Sequence, residues 1–341
     1  MKKVNVGVIG LGTWGEVHVK AFTSIPYANL VAVCDIRHER ALYIKEKYHV
    51  KKVYTNYEDL VKDKDIDAVT IALPDFLHRD PAVRAAEEGK HVLVEKPLAT
   101  NIEDAEAIVR AARKAGVKLM VDFHNRWNPP FLHAKQAIEQ GELGDVIYIY
   151  GRLSDTIYVP TKMLSWASRT NVMWFLGSHL VDITRWLLSR DKPVSVYGIK
   201  KEGILKSMGI ETPDMICGII RWSKGAISYL ECCWILPETE PKLYDFKYEI
   251  IGSSGTIYID TSHNRCIEKY LQKSYEYPDT LGLFESFGKP RGFAIDSLSH
   301  FIDCIIHDKE PIATGEDGLV VTKIICYLLK SIEEMRPLTI S

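Results

Sequence analysis

From Val4 to about Phe123, short apolar runs alternate with stretches of helical periodicity, a rhythm that predicts βαβ units around a parallel sheet. Val4 to Gly10, Leu30 to Asp35, Ala68 to Leu73, His91 to Glu95 and Leu119 to Phe123 are near-continuous apolar runs, as strands covered on both faces should be. Ile102 to Ala115 carries Ile, Ala and Val at helical spacing, and Gly116 follows as a C-terminal stop. After Phe123 the pattern changes. Asn128-Pro129-Pro130 breaks the chain, and a helix is predicted from Phe131 to Gln140. Strand-like stretches then recur at Val146 to Leu153, Val194 to Lys200, Met215 to Trp222, Ala226 to Cys233, Phe246 to Ile251 and Thr256 to Asp260. Turn signals such as Ser223-Lys224-Gly225 and Gly252-Ser253-Ser254-Gly255 separate them, which predicts a mainly antiparallel sheet. One helix interrupts it, from roughly Phe175 to Leu188, and two amphipathic helices, Phe293 to His307 and Asp317 to Glu334, follow.

Bulk properties narrow the field. At 341 residues the chain exceeds what one core usually supports, so two domains with a cleft between them are expected. Lys and Arg number 43 against 45 Asp and Glu, which leaves no global field to gather nucleic acid or anionic membrane; neither is expected as a partner. Seven cysteines form an odd set with no CxxC pair, and no histidine stands at zinc-finger spacing, so reduced thiols and no metal site are expected. The N-terminus passes straight into a strand and a Gly turn, unlike a signal peptide, and no apolar run approaches the ~20 residues of a membrane span. A cytoplasmic location follows as the default.

Gly10-Leu11-Gly12-Thr13-Trp14-Gly15 leaves a predicted strand and opens a predicted helix, the context in which GxGxxG signifies a dinucleotide site. Gly10 permits the tight turn, Gly12 lets backbone approach a pyrophosphate, and Gly15 lets the helix lie against the strand; the phosphates meet the helix's unpaired N–H groups. Asp35 closes the next strand, where a carboxylate accepts from both ribose hydroxyls and repels a 2'-phosphate, favouring NAD. Arg37 and Arg40 lie close enough to leave NADP open. The bland alternative is a tight turn with Asp35 as a strand-end cap.

Farther on, Gly89-Lys90-His91-Val92-Leu93-Val94-Glu95-Lys96-Pro97 sets Lys96 at the carboxyl end of a buried strand, where open α/β sheets bind ligands. This segment, the Gly-rich turn, Leu77-His78 and Gly177-Ser178-His179-Leu180-Val181-Asp182 together resemble the glucose-fructose oxidoreductase, inositol dehydrogenase and MocA family. The likeness extends over nearly the whole chain and includes IGSSGTIYID and Gly315 to Leu319. It implies a doubly wound α/β Rossmann domain over residues 1–123. It further implies an α+β domain with an open-faced, mainly antiparallel sheet over 124–341, whose outer side serves a homo-oligomer, a dimer or tetramer. It also implies a cis Lys96-Pro97 bond and a cofactor site that takes in Leu73, Pro74, His78, Glu95, Lys96 and Asn125.

By the same likeness, Lys96 hydrogen-bonds the reacting hydroxyl and His179 exchanges its proton while hydride moves to or from nicotinamide C4. The chemistry is sound on its own terms, since a carbinol yields hydride readily only as its O–H proton leaves, and imidazole suits that transfer. An ammonium steadies the developing alkoxide. The alternatives are a helix histidine satisfied by Asp182 and a lysine in a surface salt bridge. One position departs from the family pattern: Phe175 stands where an aspartate is usual, four residues before His179. Around it, Trp166 and Trp174 are candidates to stack on a sugar, and Arg169 to meet an anionic group. Asn125, Arg126 and Asp182 complete the expected substrate set. The expected function is a NAD(P)-dependent dehydrogenase or reductase acting on a sugar, inositol or nucleotide sugar. A cofactor-binding regulator is the second reading, and an NAD-dependent glycosidase the third.

Overall fold

In the computed structural model, which describes residues 3–188, 191–262 and 266–340, the apolar runs of the N-terminal region become six parallel strands. These are β1 (Val4–Ile9), β2 (Ala28–Cys34), β3 (Lys52–Tyr54), β4 (Ala68–Ile71), β5 (His91–Val94) and β6 (Leu119–Val121), in the order β3-β2-β1-β4-β5-β6. Winding reverses between β1 and β4, so the chain leaves both strands toward opposite sides and opens a crevice at their carboxyl ends. β3 escapes the hydrophobic pattern because Lys52-Val53-Tyr54 is a three-residue edge strand, only half-buried. The other strands stop one or two residues before the apolar pattern does. Gly10, Asp35 and Glu95, read as strand ends, begin the loops instead.

Helices α1 (Thr13–Phe22), α2 (His38–Tyr48), α3 (Tyr57–Lys62), α4 (Arg79–Glu87) and α5 (Ile102–Ala115) form the crossovers. α5 follows its sequence closely: the Asn101 side chain accepts from Asp104 N–H at 2.8 Å, Ala105, Ile108, Val109 and Ala112 are buried, and Gly116 at φ +67° ends it. The chain divides into two units, Met1–His124 with Leu283–Thr322, and Asn125–Gly282 with Lys323–Ser341. The sequence suggested one crossing near residue 123; the chain crosses there and then returns to the first unit over Leu283–Thr322. Its helix Phe293–Ile306 buries Ala294, Leu298, Phe301 and Ile302 against α1 and β1. The helix Gly315–Glu334 starts two residues earlier than its periodicity suggests. Thr314 Oγ1 accepts from Asp317 N–H while the Asp317 carboxylate accepts from Thr314 N–H, a reciprocal cap.

In the second unit β7 (Val146–Thr156), β8 (Pro193–Lys201), β9 (Met215–Trp222), β10 (Ile227–Leu236), β11 (Tyr244–Gly252) and β12 (Thr256–Asp260) form one sheet with Leu338–Thr339. Its order is β12-β11-β7-β10-β9-β8 and then Leu338–Thr339, and every pairing is antiparallel except β7 with β10. Helices α6 (Pro129–Glu139) and α7 (Ser178–Leu187) cover one face. Tyr248, wholly buried on that face, donates its hydroxyl to Leu180 O at 2.8 Å and ties α7 to the sheet. Gly151 makes room for it, since a Cβ there would lie 2.9 Å from the Tyr248 ring. The helix expected from Phe175 begins at Ser178; Met173–Gly177 is a wider, π-type turn that carries the chain into it. No helix among the described residues is long and apolar enough to cross a membrane.

Candidate cofactor and catalytic site

The Gly-rich turn in the first unit has the geometry its glycines require. Gly10 sits at φ +89°, and a Cβ on it would fall 2.4 Å from Ala72 O. A Cβ on Gly15 would fall 1.9 Å from Gly10 O, so α1 could not begin where it does. Gly12 is different: a Cβ there meets nothing within 4 Å, and the residue stands at the start of α1. Its bareness keeps open the space into which the helix's first N–H groups point, a seat for a diphosphate. Leu11 buries its side chain completely and presents only backbone, Thr13 is exposed, and Trp14 lies 5.6 Å from the His124 ring.

Asp35 follows β2 and is anchored at both oxygens. Oδ2 accepts from Leu11 N–H at 3.0 Å, and Oδ1 accepts from Arg37 N–H at 2.9 Å and Arg37 Nε at 3.3 Å. Arg40, which the sequence left open as a phosphate ligand, is committed elsewhere. Its Nε donates to Leu11 O at 2.7 Å and another guanidinium nitrogen donates to Glu16 at 2.6 Å. Burial raises the Glu16 carboxyl, but hydrogen bonds from Lys47, Arg40 and Tyr48 outweigh it and hold its pKa at about 2. Arg37 is exposed.

Leu73 and Pro74 lie half-buried in the loop after β4. Two neighbours expected to touch cofactor also make hydrogen bonds within the protein. His78 is buried, with Nδ1 2.8 Å from Pro97 O and Nε2 3.0 Å from Leu73 O, so it clamps the cis Lys96-Pro97 turn to the β4 loop. Glu95 is also buried: Oε1 lies 2.8 Å from His18 Nε2, and Oε2 accepts from Lys96 N–H at 3.1 Å. Lys96 itself is half-buried.

His18, Glu95 and Asp122 bring ligating atoms within 4.8 Å of one another, a grouping that the sequence reading missed. Both imidazole nitrogens are already engaged, by Glu95 and by Thr70 Oγ1 at 2.8 Å, and Ser297 donates to Asp122 at 2.7 Å, so the cluster reads as a closed hydrogen-bond network. Burial pushes His18 down, but the hydrogen bond and charge of Glu95, with Asp122 behind, hold its pKa above the usual value. The signal lay in the pattern, for a histidine on the inward face of an amphipathic helix needs a partner.

In the second unit, the turn after Phe123 and helix α7 bring Asn125, Arg126, His179 and Asp182 together, all buried. Asp182 pairs with Arg126. Arg126 Nε and a second guanidinium nitrogen donate to the two Asp182 oxygens at 2.9 and 2.5 Å, a bidentate pair. His179 Nδ1 lies 3.2 Å from the Asn125 side-chain amide. Phe175 is half-buried in an aromatic group, its ring 6.1 Å from Trp166 and 5.7 Å from Trp234. Trp174 is buried, at 5% exposure. Trp166 remains half-buried and Arg169 exposed.

Residues 4–123 match the family model described as an oxidoreductase family with an NAD-binding Rossmann fold, and residues 135–340 match that family's C-terminal alpha/beta domain. The scyllo-inositol 2-dehydrogenase (NAD(+)) of Bacillus subtilis is 30% identical, with 93% of this chain and 91% of the relative covered. The myo-inositol 2-dehydrogenase of Thermotoga maritima is 26% identical over 98% and 97% of the two chains. In fold, the scyllo-inositol dehydrogenase of Lactobacillus casei, solved with bound NAD(H) and scyllo-inositol, superposes with a TM-score of 0.85 at 22% identity over 99% of each chain.

Proposed function

The chain belongs to this oxidoreductase family and is an NAD-dependent enzyme acting on CH–OH groups, and from that premise we propose that it interconverts a secondary alcohol and a ketone on a cyclic polyol of the inositol type or on a sugar. The observation that carries this reading is the seat formed by Gly10, Gly12, Gly15 and the anchored Asp35. Backbone from Gly10 to Gly15, including Leu11, Thr13 and Trp14, would hold the diphosphate of NAD, Asp35 would accept from its ribose hydroxyls, and Leu73 and Pro74 would line the remainder of the cofactor site. NAD is preferred to NADP, because Asp35 opposes a 2'-phosphate and Arg40 is held by Glu16 and Leu11. When bound, NAD supplies the hydride acceptor at C4.

The protein's own groups handle the proton. Lys96 donates to the substrate oxygen and steadies its growing negative charge. His179 takes the hydroxyl proton in oxidation and returns it in reduction. Arg126 and Asp182 serve by fixing α7, and thus His179, to the turn that carries Asn125. Trp166 offers a ring face to the sugar, and Arg169 an anchor for any anionic substituent.

The test is a panel of inositols, sugars, anionic sugars and nucleotide sugars, read at the absorbance of reduced nicotinamide with NAD and NADP. Turnover is expected with at least one polyol and NAD, and Lys96→Met is expected to lower kcat by roughly 10²–10⁴-fold. A panel wholly inert with both cofactors overturns the reading. Arg169→Ala is expected to affect only anionic members.

We further propose a cytoplasmic, self-associating enzyme. All seven cysteines are free thiols, which suits a reducing compartment. Across the sheet's uncovered face runs the row Tyr197, Ile219, Tyr229, Tyr150, Glu249, Tyr258, each register partner of the next. Tyr197, Ile219 and Tyr258 are 37%, 39% and 72% exposed, an apolar stripe suited to a second copy. Sedimentation should give a dimer or tetramer that Ile219→Asp dissociates; a wild-type monomer at micromolar concentration sinks this part.

A further inference from the structure

We propose that His18 is a positioning residue for Lys96: by holding the Glu95 carboxylate it fixes the peptide from which the lysine side chain departs, and so ties helix α1 to the group that meets the substrate. The inference rests on the reading of Lys96 as the donor to the reacting oxygen. Every residue in this chain of contacts belongs to the first unit. His18 Nε2 lies 2.8 Å from Glu95 Oε1, and Glu95 Oε2 accepts from Lys96 N–H at 3.1 Å. As a carboxylate, Glu95 offers acceptors only, so Nε2 carries a proton whatever the charge on the ring. Thr70 Oγ1, 2.8 Å from Nδ1, is able to accept or donate and therefore fits either charge. Asp122 Oδ2 lies 3.7 Å from the same Nε2, and its other oxygen accepts from Ser297 at 2.7 Å.

The frame around these contacts is firm. His18 stands one turn after Gly15, on the face of α1 that also buries Val19 and Phe22. Glu95 N–H and Asp122 N–H donate to Ile71 O and Val94 O at 2.9 and 2.8 Å, which fixes the ends of β5 and β6 to their neighbours. Beyond Lys96, the His78 ring sits 2.8 Å from Pro97 O, so the lysine's backbone is held on both sides. Stability alone does not account for the group. His18, Glu95 and Asp122 are buried at 1%, 5% and 1% exposure, and apolar residues of similar volume in place of buried ionic groups are often as stable or more so. What an apolar trio lacks is an acceptor aimed at Lys96 N–H. A misplacement of about 1 Å near a reacting centre costs roughly 10²-fold in rate, which sets the worth of holding that peptide.

The experiment measures initial rates of the full-length enzyme with NAD and the panel polyol that turns over fastest. His18→Leu, which deletes the donor to Glu95, should lower kcat by roughly 10–10²-fold and change KM for NAD by less than about threefold. His18→Gln, which keeps an N–H donor for Glu95, should recover most of that loss. Combined with Lys96→Met, His18→Leu should slow the enzyme no further, because the lysine it positions is gone. An unchanged kcat in a folded His18→Leu, a KM for NAD that rises as far as kcat falls, or losses that multiply in the double variant overturns the proposal. If His18→Leu fails to fold, Thr70→Val takes its place: it removes the hydroxyl at Nδ1 and should lower kcat by roughly 2–10-fold, and an unchanged rate there counts against the proposal. Undiminished turnover in Lys96→Met refutes the parent reading of Lys96 and the proposal with it, whereas dependence on Lys96 with indifference to His18 refutes the proposal alone.

Discussion

Replacing Asp35 by alanine probes the cofactor seat where its electrostatics are simplest. The carboxylate is largely buried, with 9% of its side chain exposed, and stands at the carboxyl end of β2. Two unit charges 4 Å apart interact by about 4 kcal/mol at an effective dielectric near 20, which sets the scale of its repulsion toward a 2'-phosphate. Arg37, 3.3 Å away and exposed, offsets part of this, leaving roughly 2–3 kcal/mol of discrimination against NADP. The same carboxylate gains about 1.5–3 kcal/mol from charge-assisted hydrogen bonds to the ribose of NAD. Asp35→Ala removes both effects, so the ratio of kcat/KM for NAD over NADP should fall by on the order of 10²-fold or more, with part of the loss in KM for NAD. Asp35→Asn keeps an acceptor for Leu11 N–H and separates the charge effect from any slackening of the Gly-rich turn. Initial rates with each cofactor at a fixed polyol concentration provide the measurement. A ratio that stays within about threefold of wild type in Asp35→Ala would refute the reasoning.

Other outcomes follow from the buried charges. Arg126→Met strands the Asp182 carboxylate in the interior, which should cost about 3–5 kcal/mol and lower Tm by roughly 10 °C; Arg126→Met with Asp182→Leu should recover part of it. A single variant as stable as wild type would show that the pair is not a true buried ion pair. His18 has a raised pKa in the folded protein, so its contribution to stability is complete below pH ~6.5 and lost as pH rises through the folded value. Denaturant midpoints should therefore decline on the alkaline side, and His18→Asn should flatten that decline. Glu16, lowered to about 2, acts oppositely: its contribution is present above pH ~4.5 and lost as pH falls toward 2, a loss that Glu16→Gln should remove from acid melts.

The architecture was readable where one physical rule governed a segment. α5 has a cap, a stripe and a terminal glycine that agree, and the Gly-rich turn has three positions where a side chain would collide with backbone or fill needed space. Legibility failed where a residue's role depends on a partner distant in sequence. His78 and Glu95 flank the β4 and β5 loops, and their bonds to the carbonyls of Leu73 and Pro97, and to His18, could not be read from the sequence. Arg40 resembles a phosphate ligand until Glu16 is seen beside it. Asp182 is one turn from His179 in sequence but pairs with Arg126, 56 residues away. The return of Leu283–Thr322 to the first unit is equally hidden, since periodicity shows that Phe293–Ile306 has an apolar face and cannot say what that face will meet.

Deuterium transfer tests the central claim most directly. An inositol carrying deuterium at its secondary carbinol carbons is incubated with NAD and the enzyme, and the reduced cofactor is examined by mass spectrometry and proton NMR. One deuterium atom at nicotinamide C4, on a single face, is the expected result, accompanied by one equivalent of ketone and suppressed in Lys96→Met. Reduced cofactor without deuterium, or substrate consumed while NAD stays fully oxidised, would contradict it.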